Sequence, residues 1–319
     1  MALEMVGISK AFPGVQALEG VSFDCAAGEV HAICGENGAG KSTLIKILGG
    51  IYHPDSGSIR IGGRAASFAH PVAARRAGIS IVHQELSLLP ERSVADNIFL
   101  GDEPVRGGRL DRKAMRERAQ AILARLLSSI DPDARAGDLS IAEQQKVEIA
   151  KALATGPRIL VMDEPTAALD DAEAARLLDL VRRLRSEGVA VVYVSHRLPE
   201  IVAISDRVTV LKDGRKVLTE PTSAMPVERL VRSMVGRSLA DYFPPRAKQT
   251  GETMLELKNC SNDVLFDIDL VVRRGEIVGV AGLEGAGKSA LARAIFGDRP
   301  FTSGQMRLDG RPFSPRSPR

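Results

Sequence analysis

The chain has no tryptophan, and aromatic residues make up 4% of its 319 positions. A protein that stacks nucleic-acid bases needs a platform of such rings. The net charge of +3 is too small to supply the alternative, a broad basic surface. No nucleic acid is therefore expected as a partner. Cysteine is scarce too: Cys25, Cys34 and Cys260 are odd in number and lack metal-ligand spacing. They read as reduced, buried thiols of a cytosolic protein. Long apolar runs are missing; stretches such as Val189–Val194 fall far short of the roughly 20 residues that span a bilayer. The N-terminus, MALEMVGISKAF, lacks the apolar core of a signal peptide. Work at a membrane would need a separate spanning partner. The 44% hydrophobic and 26% charged residues fit an ordinary globular chain, and the length suggests about two domains.

What is present is one phrase written twice. CGENGAGKSTLIKIL runs from Cys34 to Leu48, and AGLEGAGKSALARAI from Ala281 to Ile295. Residues 28–64, moved 247 positions along the chain, meet identical residues at 15 of 37 positions without a gap. The chain therefore contains a duplicated domain. Its second copy stops at Arg319, which corresponds to Val72 in the first.

The first glycine loop follows an apolar run, Glu29–Cys34, and precedes a helical pattern starting at Ser42. Further strands are expected at Arg158–Asp163 and Val189–Ser195, both rich in β-branched residues. Between them, residues 171–188 carry apolar side chains at helical spacing and end on Gly188. Such alternation predicts an α/β fold with a mostly parallel sheet. Residues from about 87 to 154 read as an α-helical insert, and the charges of RLDRKAMRERAQAILARLL as a solvated helix face. The expected boundaries are a first domain over 1–238, a proline-containing linker over 239–253, and an incomplete second domain over 254–319.

Gly35–Ser42 (GENGAGKS) fits G-x-x-x-x-G-K-S between a strand and a helix. In such a loop the backbone N–H groups of Gly35, Glu36, Asn37, Gly38, Ala39 and Gly40 can turn inward around phosphate oxygens. Lys41 supplies a mobile charge for the β- and γ-phosphates. Ser42, followed by Thr43, supplies a hydroxyl for Mg²⁺ where the helix offers its positive end. ILVMDEP (Ile159–Pro165) is an apolar strand ending in two carboxylates. Asp163 can hold the metal through water, and Glu164 can orient or deprotonate an attacking water. Gln84, just after a third expected strand, can bind the metal or that water. His196, at the end of VVYVS, can contact the γ-phosphate as a neutral imidazole. Ser140 is a candidate N-cap whose hydroxyl and exposed N–H groups form an anion site. Singly, these residues have bland readings: a loop glutamine, a capping or core histidine, a capped surface helix. His31, His53, His70 and His83 are read as structural.

The motifs in this order resemble the ATP-binding-cassette ATPases: P-loop, glutamine loop, signature helix, acidic strand end, histidine switch. The resemblance covers essentially the whole chain. It implies a P-loop NTPase core of RecA-like type, with an antiparallel β subdomain and the helical insert. It implies that Phe12, 23 positions before Gly35, stacks on adenine, and that Asp170, in AALD, belongs to a loop crossing a dimer interface. The family's usual L-S-G-G-Q signature is replaced by Leu139-Ser140-Ile141-Ala142-Glu143. That departure, with VEIAKAL, DEPTAALD and YVSHRLPEI, is similar to the ATPases of bacterial monosaccharide importers, which carry two cassettes in one chain. The resemblance implies ATP and Mg²⁺ as ligands. It implies a peripheral place at the cytoplasmic face of the inner membrane. The partners implied are permease subunits and, through them, a periplasmic sugar-binding protein. Two cassettes would close head to tail on two ATP molecules, and a groove beside the glutamine loop would receive a permease helix.

The second copy keeps Gly282, Gly285, Gly287, Lys288 and Ser289 of its phosphate loop. It has no aromatic residue where Phe12 would map, and none of the later motifs. A partial sheet with uncovered edges is expected there, as is a natural protein near 500 residues. Without the second signature, the first site needs another copy to complete it. Competing functions are a soluble cassette ATPase acting on ribosomes or DNA, which the weak charge disfavours, and a nucleotide-binding regulator.

Overall fold

A computed structural model describes residues 1–235, 251–282, 285–315 and 317. The chain forms two compact units, Met1–Tyr242 and Phe243–Arg319.

The first unit runs β1 (Leu3–Phe12), β2 (Val15–Cys25), β3 (Val30–Cys34), α1 (Lys41–Leu48), β4 (Ser56–Ile61), β5 (Arg64–Ala66), α2 (Pro71–Arg76), β6 (Ile79–Val82) and α3 (Val94–Ile98). It continues with β7 (Val105–Arg106), β8 (Arg109–Leu110), α4 (Arg112–Arg125), α5 (Ile141–Ala154), β9 (Ile159–Asp163), α6 (Asp171–Ser186), β10 (Ala190–Val194), α7 (Leu198–Ile204), β11 (Arg207–Lys212), β12 (Arg215–Pro221) and α8 (Val227–Val235).

Strands β3, β9 and β10 are buried at every residue. Strands buried along their whole length, and mostly apolar, fit a sheet covered on both faces, which parallel pairing with helical crossovers provides. The sheet order is β12-β11-β3-β10-β9-β6, parallel except for β12. Alternate residues of β9 feed opposite layers. Ile159 and Val161 pack with Leu44 and Ile47 of α1, whereas Leu160 and Met162 pack with Leu177, Leu180 and Val181 of α6.

The antiparallel sheet β2-β1-β4-β5 closes the α1 layer, through Leu3, Met5, Ile8, Val21 and Phe23. The insert has its own core, in which Val94, Ile98, Met115, Leu123 and Val147 meet. It is not purely helical: the two-residue strands β7 and β8 form a short hairpin ahead of α4. Helix α5 serves two cores, with Val147 and Ala150 turned to the insert and Ile149 and Leu153 to the sheet layer. Helix α6 stops at Ser186, and Gly188 supplies the left-handed residue beyond it (φ +88°).

The second unit has β13 (Thr253–Ser261), β14 (Ile268–Arg273), α9 (Lys288–Phe296), β15 (Ser303–Leu308) and β16 (Arg311–Pro312). Its sheet order, β14-β13-β15-β16, repeats β2-β1-β4-β5. The stretch corresponding to β3, 277–281, is not in a strand, and Ile277 is 91% exposed. In the first unit β3 lies between β10 and β11. The described residues of the second unit hold no equivalent of either, so the apolar run has nothing to pair with. The linker expected at 239–253 falls mostly outside the described residues; its last member, Thr253, opens β13.

Candidate functional site

Strand β3 delivers the chain into a loop that tolerates only glycine at its two ends. A Cβ on Gly35 would stand 2.3 Å from the Leu211 carbonyl oxygen. One on Gly40, at φ +100°, would stand 2.7 Å from both the Ala17 oxygen and Leu18 Cδ2. The tight turn lets α1 start at Lys41, one residue earlier than its sequence pattern suggests, with no side chain capping it. Its first N–H groups thus point out of the helix with a partial positive charge. The Lys41 side chain arches back over the loop, its Nζ donating to the carbonyls of Gly35 (2.7 Å) and Glu36 (3.0 Å).

The loop floors an open cleft of about 870 Å³. Asn37, Gly38, Ala39, Gly40, Lys41, Ser42 and Thr43 line it, joined by Phe12, Gln84, Asp163, Glu164 and His196 from four other segments. Sheet topology explains the convergence, because β3, β6, β9 and β10 are parallel and their C-terminal ends open on one edge. Phe12 sits at the rim, edge-on to Tyr52 with ring centroids 5.1 Å apart.

Glu164 is the hub. Its backbone is left-handed (φ +50°), uncommon for a residue with a side chain. Its Oε2 accepts from Gln84 Nε2 at 3.3 Å, and its Oε1 lies 3.2 Å from His196 Nδ1. Asp163 beside it is buried. Burial, and then the charge of Glu164, pushes its carboxyl above the usual carboxylate range against the pull of Lys41 and Lys46. Burial likewise holds the Lys41 amine below its ordinary value, opposed by Glu164 and Asp163.

Two other expected site residues lie outside this cleft. Ser140 caps α5 in a closed capping box: its N–H and hydroxyl both donate to the Glu143 carboxylate (2.9 and 2.8 Å), while its Oγ accepts from the Glu143 N–H. The Ser140 hydroxyl thus lowers the carboxyl of Glu143. Asp170 caps α6, accepting from the Glu173 N–H at 2.7 Å. In the second phosphate loop Gly285 and Gly287 have φ of +80° and +87°, close to Gly38 and Gly40 of the first, and Lys288 Nζ donates to the Gly282 carbonyl. Ser289 follows as the second residue of α9 and is exposed.

Sequence reasoning missed Val15 and Ala17, which line the cleft from β2. Their alternation around Gln16 was the available signal.

The donor set suits a hard cation. Among the described residues, no three His, Cys, Asp or Glu side chains gather as a metal cage. Ser42, Asp163 and Gln84 instead offer a hydroxyl, a carboxylate and an amide at one cleft, a set that suits Mg²⁺ arriving with phosphates. The raised Asp163 carboxyl is what a buried acid short of countercharge should show.

The sequence profile of the family described as ABC transporter matches residues 18–167 and 265–319. A ribose import ATP-binding protein of Rubrobacter xylanophilus is 53% identical over 317 residues, covering 99% of this chain and 63% of that protein. Another, of Chromobacterium violaceum, is 48% identical over 320 residues, covering 100% of this chain and 64% of its own length. The chain thus spans a little under two-thirds of the length of these relatives. An ATP-binding cassette of an ABC transporter, solved in its ADP conformation, superposes with a TM-score of 0.65 at 28% identity, over 74% of this chain and 99% of the cassette. A second cassette, solved as a dimer in a post-hydrolysis state with ADP and phosphate, gives 0.63 at 26% identity, over 69% of this chain and 98% of that one.

Proposed function

The chain belongs to the ABC transporter family, and from that premise we propose that it is the ATP-hydrolysing subunit of a bacterial importer for a simple sugar. The observation that carries the reading is Glu164 held between Gln84 and His196 above the phosphate loop. The names of the relatives, ribose import ATP-binding proteins similar over nearly the whole chain, support the sugar class.

The chain's own groups divide the work. Phe12, with Val15 and Ala17, takes the adenine. The loop N–H groups, the start of α1 and Lys41 take the phosphates. Lys41 exchanges two neutral carbonyls for anionic oxygens when nucleotide enters. Mg²⁺, held by Ser42, Asp163 and Gln84, would neutralise phosphate charge. Glu164 orients a water and takes its proton, and His196 and Gln84 fix the carboxylate's direction. Ser140 and Asp170, which lie outside their own chain's cleft, serve a facing cassette. That cassette is a second nucleotide-binding domain or another copy of this chain.

No helix among the described residues is long and apolar enough to cross a membrane. The membrane span belongs to permease subunits, and this chain binds at the cytoplasmic face. Its docking place is the groove of about 270 Å³ between sheet and insert, where Ile98, Phe99 and Leu100 face Arg75, Glu148 and Lys151. A periplasmic sugar-binding protein delivers the sugar on the far side.

Replacing Glu164 by glutamine in the permease-associated protein tests this. Mg-ATP affinity should hold while phosphate release falls by about 10²–10⁴-fold. Equally slow hydrolysis by wild type and variant would remove Glu164 from the chemistry and leave a nucleotide-binding regulator.

A further inference from the structure

Glu200, on α7, is a buried carboxylate with no part in the chemistry above; it is 8% exposed. Its Oε2 accepts from three hydroxyls: Thr166 Oγ1 at 2.9 Å, Tyr193 Oη at 2.8 Å and Ser195 Oγ at 3.1 Å. Its Oε1 lies 3.4 Å from Arg197 Nη1. Thr166, Tyr193 and Ser195 are each at most 3% exposed. A buried charge costs several kcal/mol unless donors surround it, so three hydroxyls converging on one oxygen hold their segments in a fixed arrangement.

Those segments matter for where they lead. Thr166 is two residues past Glu164, in the turn that leaves β9. Ser195 immediately precedes His196, in the turn that leaves β10, and its Oγ also accepts from the Arg197 N–H at 3.0 Å. One backbone bond, Glu164 N–H to the Val194 carbonyl (2.9 Å), already joins the two strand ends. Glu200 adds a side-chain clasp behind it. Burial, then the neighbouring Glu200 charge, pushes the Tyr193 phenol well above its usual range, so it stays a donor at any working pH.

We propose that Glu200 is a positioning residue that locks the Glu164 turn to the His196 turn, and so sets the contact between their side chains. Through Thr166 the clasp also reaches the Ala167–Asp170 turn, which leads to the α6 cap. A shift at the facing-cassette end of that turn would be felt at the hydrolytic carboxylate. The effect on rate rests on the hydrolytic reading above; the mechanical coupling does not.

The test uses the full chain with Glu200→Gln and Thr166→Val. Three readouts are taken: Mg-ATP affinity by calorimetry, single-turnover hydrolysis, and amide hydrogen exchange. For Glu200→Gln, affinity should stay within about two-fold and hydrolysis should fall on the order of 10-fold or more, as expected when a reacting group loses alignment. Exchange should quicken at 164–170 and 195–197 and stay unchanged elsewhere. Thr166→Val should quicken exchange at 195–197, across the clasp, an effect that a purely local role would not give. Wild-type exchange and rate in Glu200→Gln would overturn the proposal, as would exchange rising evenly through the unit. If wild type binds no Mg-ATP, the nucleotide reading falls, and exchange across the clasp still decides the role of Glu200.

Discussion

Replacing Lys41 by methionine removes an ammonium at nearly constant volume, and the structure separates its effects on binding and on stability. Lys41 Nζ is already satisfied by the Gly35 and Glu36 carbonyls. Nucleotide affinity therefore gains only the difference between those bonds and bonds to phosphate. Each bond to an ionised oxygen is worth about 1.5–3 kcal/mol. Two of them come to about 3–6 kcal/mol and the two given up, charge-assisted by the ammonium alone, to about 3, which leaves about 1.5 kcal/mol at the midpoint and about 3 at most, so Kd for Mg-ATP should rise about 10- to 150-fold. Stability should move differently. Burial holds the Lys41 amine below its ordinary value, so its charged form is disfavoured in the folded state. Removing the charge should leave the nucleotide-free melting temperature unchanged or slightly higher. Calorimetric titration and a thermal melt without nucleotide measure the two effects. A Kd within about three-fold of wild type would refute the assigned grip. A fall in the melt matching the loss of affinity would refute the separation and make Lys41 a structural residue.

Two further outcomes follow from charge placement. Hydrogen bonds from Arg207 at 2.7 and 3.3 Å hold the Asp24 carboxyl below its usual range against partial burial. The folded state thus binds this proton more weakly than the unfolded chain. The stabilisation is full above the unfolded value of about 3.9 and is lost as pH falls through the folded one. Asp24→Asn should cost on the order of 1 kcal/mol in urea unfolding at pH 7, with the deficit shrinking as pH falls below about 3.9; a deficit constant with pH would contradict the pairing. Glu143→Gln keeps a side chain able to close the capping box but removes a negative charge from the start of α5. ATP-driven association of two chains, followed by light scattering with Glu164→Gln in the background, should strengthen while the melting temperature falls slightly, because the charge lost is one that the Ser140 hydroxyl and the helix start favour. Weaker association would show that the Glu143 charge favours closure.

How much could be read beforehand depended on whether the signal was local. Gly35–Ser42 was legible because the steric demand at Gly35 and Gly40 falls on consecutive residues of one loop. β9 and β10 were legible because burial on both faces leaves an unbroken apolar run. The β7–β8 hairpin was not, since two-residue strands in a charged insert carry no periodicity. The Glu200 clasp was hidden for another reason: Thr166, Tyr193 and Ser195 meet it only after two parallel strands are laid side by side, and their hydroxyls look ordinary in sequence. At 277–281 the apolar pattern of β3 recurs without forming a strand, because pairing partners, not propensity, decide whether such a run becomes one.

The left-handed backbone at Glu164 has a wider consequence. A residue with a side chain costs about 1–2 kcal/mol there relative to glycine. On the hydrolytic role proposed above, glycine at 164 would make a sturdier but idle protein. A stability-guided redesign left to itself would then favour glycine at that bend and erase the proposed activity first.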